Sequence, residues 1–307
     1  MPKVSIIIPT YNSSRFIKRT IGSVLAQTFR DWELIIVDDC SKDGTELAVK
    51  EFTKFDKRIK FFKTSENSGG PATPKNIGIE KAEGEYIAFL NHYDEWFPEK
   101  LEKQLKVFQN SKEENLGLVS CYINLVDEKT KKITAKMKNF KENNVLFFLS
   151  QYNFFVTSSC IIVRKSVFGK VGLFDTRFGV SDDWDMWLRI IRAKYNVDVV
   201  KNYLVNYSTG GNNLSSLSNI EKQKEEFEML KEKAEGDDFK IRENWFLGYY
   251  YYTKEKYGLA RKYHWKTFTT KELSLAVRLK SVAYIILSFV HSKKLENLFR
   301  QIWRKLK

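Results

Sequence analysis

Apolar and polar positions along the chain first fall into short runs with a strand's character. Val4-Ser5-Ile6-Ile7-Ile8-Pro9 is rich in β-branched residues, and Thr10-Tyr11-Asn12-Ser13-Ser14 follows, where Asn and Ser suit the cap of a helix reaching about Phe29. Trp32-Glu33-Leu34-Ile35-Ile36-Val37 repeats the pattern, ending in Asp38-Asp39 and a turn-rich stretch to Thr45, with a helix after it. Ile59 to Lys63 predicts a third strand, Glu66 to Gly70 a loop, and Pro71 to Ile79 a helix. Successive strand–helix units predict a parallel sheet with right-handed crossovers. A fourth run, Gly84-Glu85-Tyr86-Ile87-Ala88-Phe89-Leu90, passes into the polar Asn91-His92-Tyr93-Asp94-Glu95. Pro98 then opens a helix carrying Leu101, Leu105 and Phe108 at helical spacing.

Further on, Gly117 to Val126 alternates as a strand with a hairpin turn at Asp127-Glu128-Lys129-Thr130. Residues 140 to 163 predict an apolar helix and a strand ending at Val163-Arg164-Lys165, with no chemistry legible in them. Ser181 is placed to cap a helix whose first turn holds Asp182, Asp183 and Asp185, where the positive end of the helix dipole stabilises acids. Val197 to Tyr207 predicts a strand. The Gly/Asn/Ser-rich stretch from Ser208 to Asn219 is either a lid or an ordinary surface loop. Beyond it the chain is helical, with an aromatic cluster from Trp245 to Tyr252 and an apolar stretch from Ala283 to Val290. Leu295, Leu298, Phe299, Ile302, Trp303 and Leu306 fall on one helical face.

With 307 residues, 43% apolar and 15% aromatic, the chain can bury a large core plus an appendage, which excludes a disordered chain. Its net charge of +14 is unevenly placed, because residues 240–307 hold 16 Lys and Arg against 4 Glu. That shift sets the expected boundary: a first domain over residues 1–215 and a basic helical extension over 216–307. A basic end with amphipathic helices suits an anionic membrane surface, or packing on the first domain or a second subunit in an oligomer. No nucleic-acid-binding motif accompanies the charge. Cys40, Cys121 and Cys160 are too scattered for a zinc site or a disulfide framework, as expected of buried thiols in a reducing cytosol. The N-terminus runs directly into a strand, so no signal peptide is expected, and no apolar run reaches the ~18 residues that span a bilayer.

In an open α/β sheet the ligand crevice lies beyond the C-terminal ends of the strands. Tyr11 offers an aromatic face for a base, and a carboxylate at Asp39 suits the N3 proton that uracil has and cytosine lacks. Asp38 orders the same loop. The Gly69-Gly70 pair lets backbone amides face an anion before a helix N-terminus, and Lys75 stands either toward phosphates or in solvent.

Four stretches in this order resemble the family 2 glycosyltransferases: Pro9-Thr10-Tyr11-Asn12; Val37-Asp38-Asp39; Gly84 to Leu90 with the cluster after it; and Gly172-Leu173-Phe174-Asp175 followed by Asp182-Asp183-Trp184-Asp185-Met186-Trp187-Leu188-Arg189. The resemblance implies a GT-A, Rossmann-like, mostly parallel α/β sheet with a C-terminal helical extension. It implies a UDP-sugar bound through Pro9, Tyr11, Asp38, Asp39, Lys75 and Asn91, and inverting transfer with Asp183 as catalytic base. Asp182 and Trp187 take acceptor or support roles. It also implies a divalent metal, Mn2+ or Mg2+, held by an Asp-X-Asp motif. Here that motif reads Asn91-His92-Tyr93-Asp94, with Tyr93 in the metal-coordinating place, which leaves Asp94 and His92 as candidate ligands. Lys75 stands where the family has Arg, and the Arg and His expected after Tyr207 are absent. So is the Gln-X-X-Arg-Trp of processive members, so addition of one sugar is expected. The resulting expectation is an inverting, non-processive enzyme of bacterial surface polysaccharide synthesis (lipopolysaccharide or capsule). It would act on a glycan, lipid-linked acceptor from the cytoplasmic face of the membrane. The alternative is a non-catalytic UDP-binding or scaffolding protein with a degenerate Asp-X-Asp motif.

Overall fold

The computed structural model describes residues 3–138, 149, 153, 155–209, 220–233, 239–270, 275–290 and 295. Four strands form the parallel half of one sheet: β1 (Val4–Thr10), β2 (Trp32–Asp38), β3 (Ile59–Lys63) and β4 (Tyr86–Phe89), in the order β3-β2-β1-β4. Thr10 opposite Asp38 sets the ends of β1 and β2 level, while β4 stops three residues short of the end of β1, with Phe89 opposite Ile7. The sheet continues from β4 through β8 (Ile162–Arg164), β6 (Leu116–Asp127) and β9 (Asn196–Thr209) to β5 (Glu95–Trp96), with β7 (Ile133–Met137) hairpinned onto β6. Only the β6–β9 pairing is parallel in this second half. All seven residues of β1 and of β2 are buried, as expected of strands covered on both faces by crossover helices.

Those helices are α1 (Ile17–Leu25), α2 (Thr45–Phe55), α3 (Ala72–Lys81) and α4 (Lys100–Asn110). Gly78 of α3 sits so close to β1 that an added Cβ would lie 2.5 Å from Ile7 Cγ2. Helix α1 starts later than the sequence suggests, since the expected caps are used between loops. The Ser13 amide donates to Thr45 Oγ1 (2.7 Å) and the Ser14 amide to Asp43 Oδ2 (3.0 Å), so the β1–α1 and β2–α2 loops are stitched together. Helix α4 begins at Lys100 rather than Pro98, because Glu95–Trp96 pairs with β9 and the Phe97 amide donates to the Leu204 carbonyl (3.0 Å). Two helices complete this part, α5 (Ser166–Val171) and α6 (Asp182–Arg192). Ser181 occupies the N-cap of α6 without a side-chain cap bond.

The chain divides into two compact units, Met1–Leu146 with Asn153–Leu214, and Phe147–Tyr152 with Ser215–Lys307. The second contains α7 (Ile220–Glu232), α8 (Lys240–Thr253), α9 (Tyr257–Thr269) and α10 (Leu275–Val290). Its core gathers Tyr252, Ala260, Tyr284 and Leu287, with Trp245 and Tyr249 packed alongside. Gly248 allows α8 and α9 to approach closely, as an added Cβ would stand 2.8 Å from His264 Nδ1. The His264 ring stacks on Tyr284 at 5.1 Å, and burial pushes its pKa down to about 3, so it is a neutral core group. The amphipathic face expected over residues 295–306 lies outside the described residues apart from Leu295, as does most of the apolar helix expected after residue 140. Residues 210–219 of the expected lid also lie outside them.

Candidate functional site

Beyond β1, Tyr11 is 43% exposed, and the loop turns through Asn12 in the left-handed region (φ 46°). The Asn12 amide donates to Ser41 Oγ (2.8 Å), and its side-chain oxygen accepts from the Lys42 amide (2.9 Å), which fixes the tyrosine's loop against the exit of β2. At that exit Asp38 is buried and accepts from the Ser41 amide (3.0 Å) and hydroxyl. Asp39 is buried too. Its carboxylate accepts from the amide and hydroxyl of Ser68 (both 3.0 Å), from Asn67 Nδ2 (3.0 Å) and from Thr64 Oγ1 (3.1 Å). The acid expected to read a base therefore organises the loop between β3 and α3. Gly69 in that loop has φ +80°, and an added Cβ on Gly70 would stand 2.9 Å from Gly179 Cα, so the loop lies directly against the turn preceding α6.

At the exit of β4, the Asn91 amide donates to Ser159 Oγ (2.9 Å) and its Nδ2 to Thr157 Oγ1 (3.0 Å). Asp94 is fully buried and accepts from Ser159 Oγ (2.6 Å), Thr157 Oγ1 (3.2 Å) and the Ser208 amide (3.1 Å). Burial outweighs these donors and raises its pKa to about 7. The His92 Nδ1 lies 3.2 Å from the Pro9 carbonyl, and burial lowers the ring's pKa to about 4. Helix α1 staples this loop: Thr20 Oγ1 donates to the His92 carbonyl (2.8 Å), and Arg19 Nη2 to the Tyr93 carbonyl (2.9 Å), Glu128 (2.9 Å) and Ser208 Oγ (3.0 Å).

These positions do not suit the metal that the resemblance implies. Asp94 spends its oxygens on protein donors, His92 turns its Nδ1 to a backbone carbonyl, and a phenol stands where the second carboxylate would be. Among the described residues no group of three or more His, Cys, Asp or Glu is placed to hold a metal ion.

Across from β4, α6 presents two acids with different fates. Asp182 is buried and pairs with Lys75 Nζ at 2.8 Å. That lysine is itself only 2% exposed, donates to Ser158 Oγ (3.1 Å) and lies over the Phe174 ring at 4.8 Å. Lys75 is thus neither in solvent nor free of a carboxylate, the two places expected of it being toward phosphates or in solvent, because its charge pairs with Asp182 and holds α3 against α6. Asp183, half-buried, accepts from Asn153 Nδ2 (3.1 Å) and Ser158 Oγ (3.3 Å). Burial first, and the neighbouring Asp182 charge second, raise its pKa to about 7, against the opposing pull of Lys75. Trp187, on the inner side of the helix, is fully buried among Phe89, Phe155 and Phe174 with ring centroids 6.2 to 6.3 Å away.

Thr157, Ser158 and Ser159 tie the two halves together. Thr157 caps a 3-10 turn before β8 that holds Ser158 and Ser159, and the three consecutive hydroxyls serve Asp94 on one side and Lys75 and Asp183 on the other. Sequence reasoning missed them. The available signal was three hydroxyl residues in a row inside the otherwise apolar stretch from Phe154 to Val163. An open hollow of about 870 Å³, lined by Lys3, Asp31, Glu83, Glu85 and Arg164 among others, lies at the opposite ends of the strands, away from these groups.

The model of the family described as "Glycosyl transferase family 2" matches residues 5–172. An uncharacterized glycosyltransferase of Rickettsia typhi is 31% identical over 195 residues, 62% of this chain and 59% of its own, so the match spans about three-fifths of that relative. One of Methanocaldococcus jannaschii is 32% identical over 73% of this chain and 76% of its own. A Bacillus subtilis protein named for teichuronic acid biosynthesis is 48% identical over 105 residues, 34% of this chain and 41% of its own. Among solved structures, S. aureus TarS 1-349 in complex with UDP-GlcNAc is similar with a TM-score of 0.58 at 20% identity, over 93% of this chain and 81% of that one. The mannosyltransferase PcManGT from Pyrobaculum calidifontis, in complex with GDP-Man and Mn2+, gives 0.60 at 15% identity, over 99% and 85%. The fold is that of the GT-A glycosyltransferases, and the chain belongs to glycosyl transferase family 2.

Proposed function

We propose that this protein is an inverting glycosyltransferase that moves one sugar from a UDP-sugar to a glycan acceptor, lipid-linked, in the synthesis of a bacterial surface polysaccharide. The observation that carries the reading is Asp183. It is a partly exposed carboxylate at the head of α6, with its pKa raised to about 7, and it accepts from Ser158, whose neighbours Thr157 and Ser159 serve Asp94 at the exit of β4. A base of that strength suits proton removal at neutral pH and supplies ~10²–10⁴-fold. The acceptor hydroxyl gives its proton to Asp183 as its oxygen bonds to the anomeric carbon. The bond from that carbon to the diphosphate breaks, and its electron pair leaves with the nucleotide. Attack from the side opposite the diphosphate inverts the anomeric centre.

Pro9, Tyr11, Asp38, Asp39 and Asn91 form the donor side in this reading. Tyr11 stacks on the base, and Asp39 acts through the Thr64–Ser68 loop it organises. Lys75, Asp182 and Trp187 support α6. A uracil base is favoured by the likeness to TarS with UDP-GlcNAc, and the GDP-Man complex of PcManGT makes GDP-sugars the necessary comparison. The relative named for teichuronic acid biosynthesis supports a surface polysaccharide as product. The basic helices of the second unit hold the enzyme at the cytoplasmic face of the membrane. Release of nucleoside diphosphate from a panel of UDP- and GDP-sugars, with Asp183→Asn as control, tests the proposal. Turnover with a UDP-sugar that falls by ~10²-fold or more in the variant supports it. A second reading, a non-catalytic nucleotide-binding scaffold, is favoured by the missing carboxylates at Asn91 and Tyr93, and it stands if no donor turns over.

A further inference from the structure

The loop after β4 carries a phenol hydroxyl that, among the described residues, no other group of the site uses. Tyr93 is pinned through its backbone, since its carbonyl accepts from Arg19 Nη2 (2.9 Å) and Ser208 Oγ (2.8 Å). Its ring is held edge-on between His92 at 4.9 Å and Tyr207 at 6.3 Å. Among the described residues its hydroxyl has no hydrogen-bond partner. Burial first, then Tyr207 and the charges of Asp94, Asp183 and Asp182, raise the pKa of a phenol that is already protonated at neutral pH, so its hydroxyl is an O–H donor. Two cations of the site are already paired, Lys75 with Asp182 and Arg19 with Glu128. The carboxylates that would assemble a divalent ion are replaced at 91 and 93 or enclosed at 94.

We infer that this enzyme holds its donor without a divalent cation, the Tyr93 hydroxyl donating to the diphosphate at the place a metal would occupy. The inference rests on the donor-site reading above and adds the source of leaving-group stabilisation. No proton is transferred by Tyr93. The diphosphate leaves with the electron pair of the broken bond, and the phenol's hydrogen bond strengthens as negative charge gathers on the leaving oxygen. A glutamate or aspartate at position 93 would face Asp183 and Asp182 without compensation, whereas a phenol adds a donor and no charge.

Calorimetric binding of uridine, UDP and GDP to the full chain, in EDTA and in Mn2+, tests this with no need for an acceptor. The expected result is UDP affinity that agrees within about twofold between EDTA and Mn2+, and a Tyr93→Phe variant about tenfold weaker for UDP yet unchanged for uridine. Tightening of wild-type UDP binding by about tenfold or more in Mn2+ would overturn the inference and leave the donor site standing. Equal UDP affinity in Tyr93→Phe and wild type would also overturn it. Failure of both UDP and GDP to bind the wild type removes the donor-site reading, and this inference with it. Thermal unfolding of Tyr93→Phe beside the wild type shows that the loop is intact.

Discussion

Asp183 and Asp94 are both acids whose pKa is raised to about 7, yet their surroundings assign them different work. Asp94 is enclosed by donors from two other segments, the Thr157–Ser159 turn and Ser208, and meets no solvent, so its charge state bears on stability. Asp183 keeps an exposed edge, so its charge state bears on chemistry. If Asp183 is the base, donor turnover rises with pH along a single-proton limb and levels off above about pH 7. Lys75→Met, which removes the cation holding that pKa down, moves the limb to higher pH in initial-rate profiles. The linkage has a definite sign. A carboxyl group with a folded pKa above its unfolded value near 3.8 contributes its full stability below that value and loses it as pH rises through about 7. Asp183→Asn, relieved of this loss, is therefore expected to gain about 1 kcal/mol or more on wild type between pH 5 and pH 8 in urea unfolding. A pH-independent difference would separate Asp183 from the titration.

At the level of elements, the strands were legible because β1, β2 and β4 are continuous apolar runs buried on both faces, and such runs are hard to mistake when turn residues bound them. Helix starts were less legible. Asn12, Ser13 and Ser14 have the composition of caps, and only the folded chain shows Ser13 and Ser14 bonded to Thr45 and Asp43 instead. The Glu95–Trp96 strand is two residues long and has no period to read. The turn at Thr157-Ser158-Ser159 illustrates the limit for the site, since its hydroxyls become partners of Asp94 and Asp183 only when antiparallel pairing sets β8 beside β4. Neighbouring substitutions there should have separable effects. Ser159→Ala takes a donor from buried Asp94 and an acceptor from the Asn91 amide, which should cost about 1–3 kcal/mol of stability in urea unfolding. Ser158→Ala leaves that cluster whole and removes one hydrogen bond each from Asp183 and Lys75. It should lower turnover and shift its pH limb with a smaller loss of stability. Identical stability and activity profiles for the two variants would count against this division.

Over the whole molecule, the charge excess of residues 240–307 meets an apolar surface in the second unit. Helix α10 buries Tyr284 and Leu287, while Leu275, Leu279, Ile286, Phe289 and Val290 stand 49 to 65% exposed at spacings that place them along one side. Arg261 lies over the Phe289 ring at 4.3 Å, and Arg278 precedes Leu279 on the flank of the strip, so cations border it. Among the described residues no helix is long and apolar enough to cross a membrane. An apolar strip edged with cations suits a helix lying in the lipid interface, where each basic residue near an anionic surface contributes about 1 kcal/mol and several part-buried apolar side chains add to that. Full-length protein should therefore sediment with vesicles containing phosphatidylserine, bind less as ionic strength rises, and bind weakly to phosphatidylcholine alone. Because the cations and the apolar strip act together, Leu279→Glu with Phe289→Glu should abolish sedimentation at low salt while leaving nucleotide binding unchanged. Deleting residues 292–307 should lower it in proportion to the basic residues lost. Retained vesicle binding in the double variant would mean that this strip is covered by protein, and a concentration-dependent mass in solution would then identify the cover as a second copy of the chain.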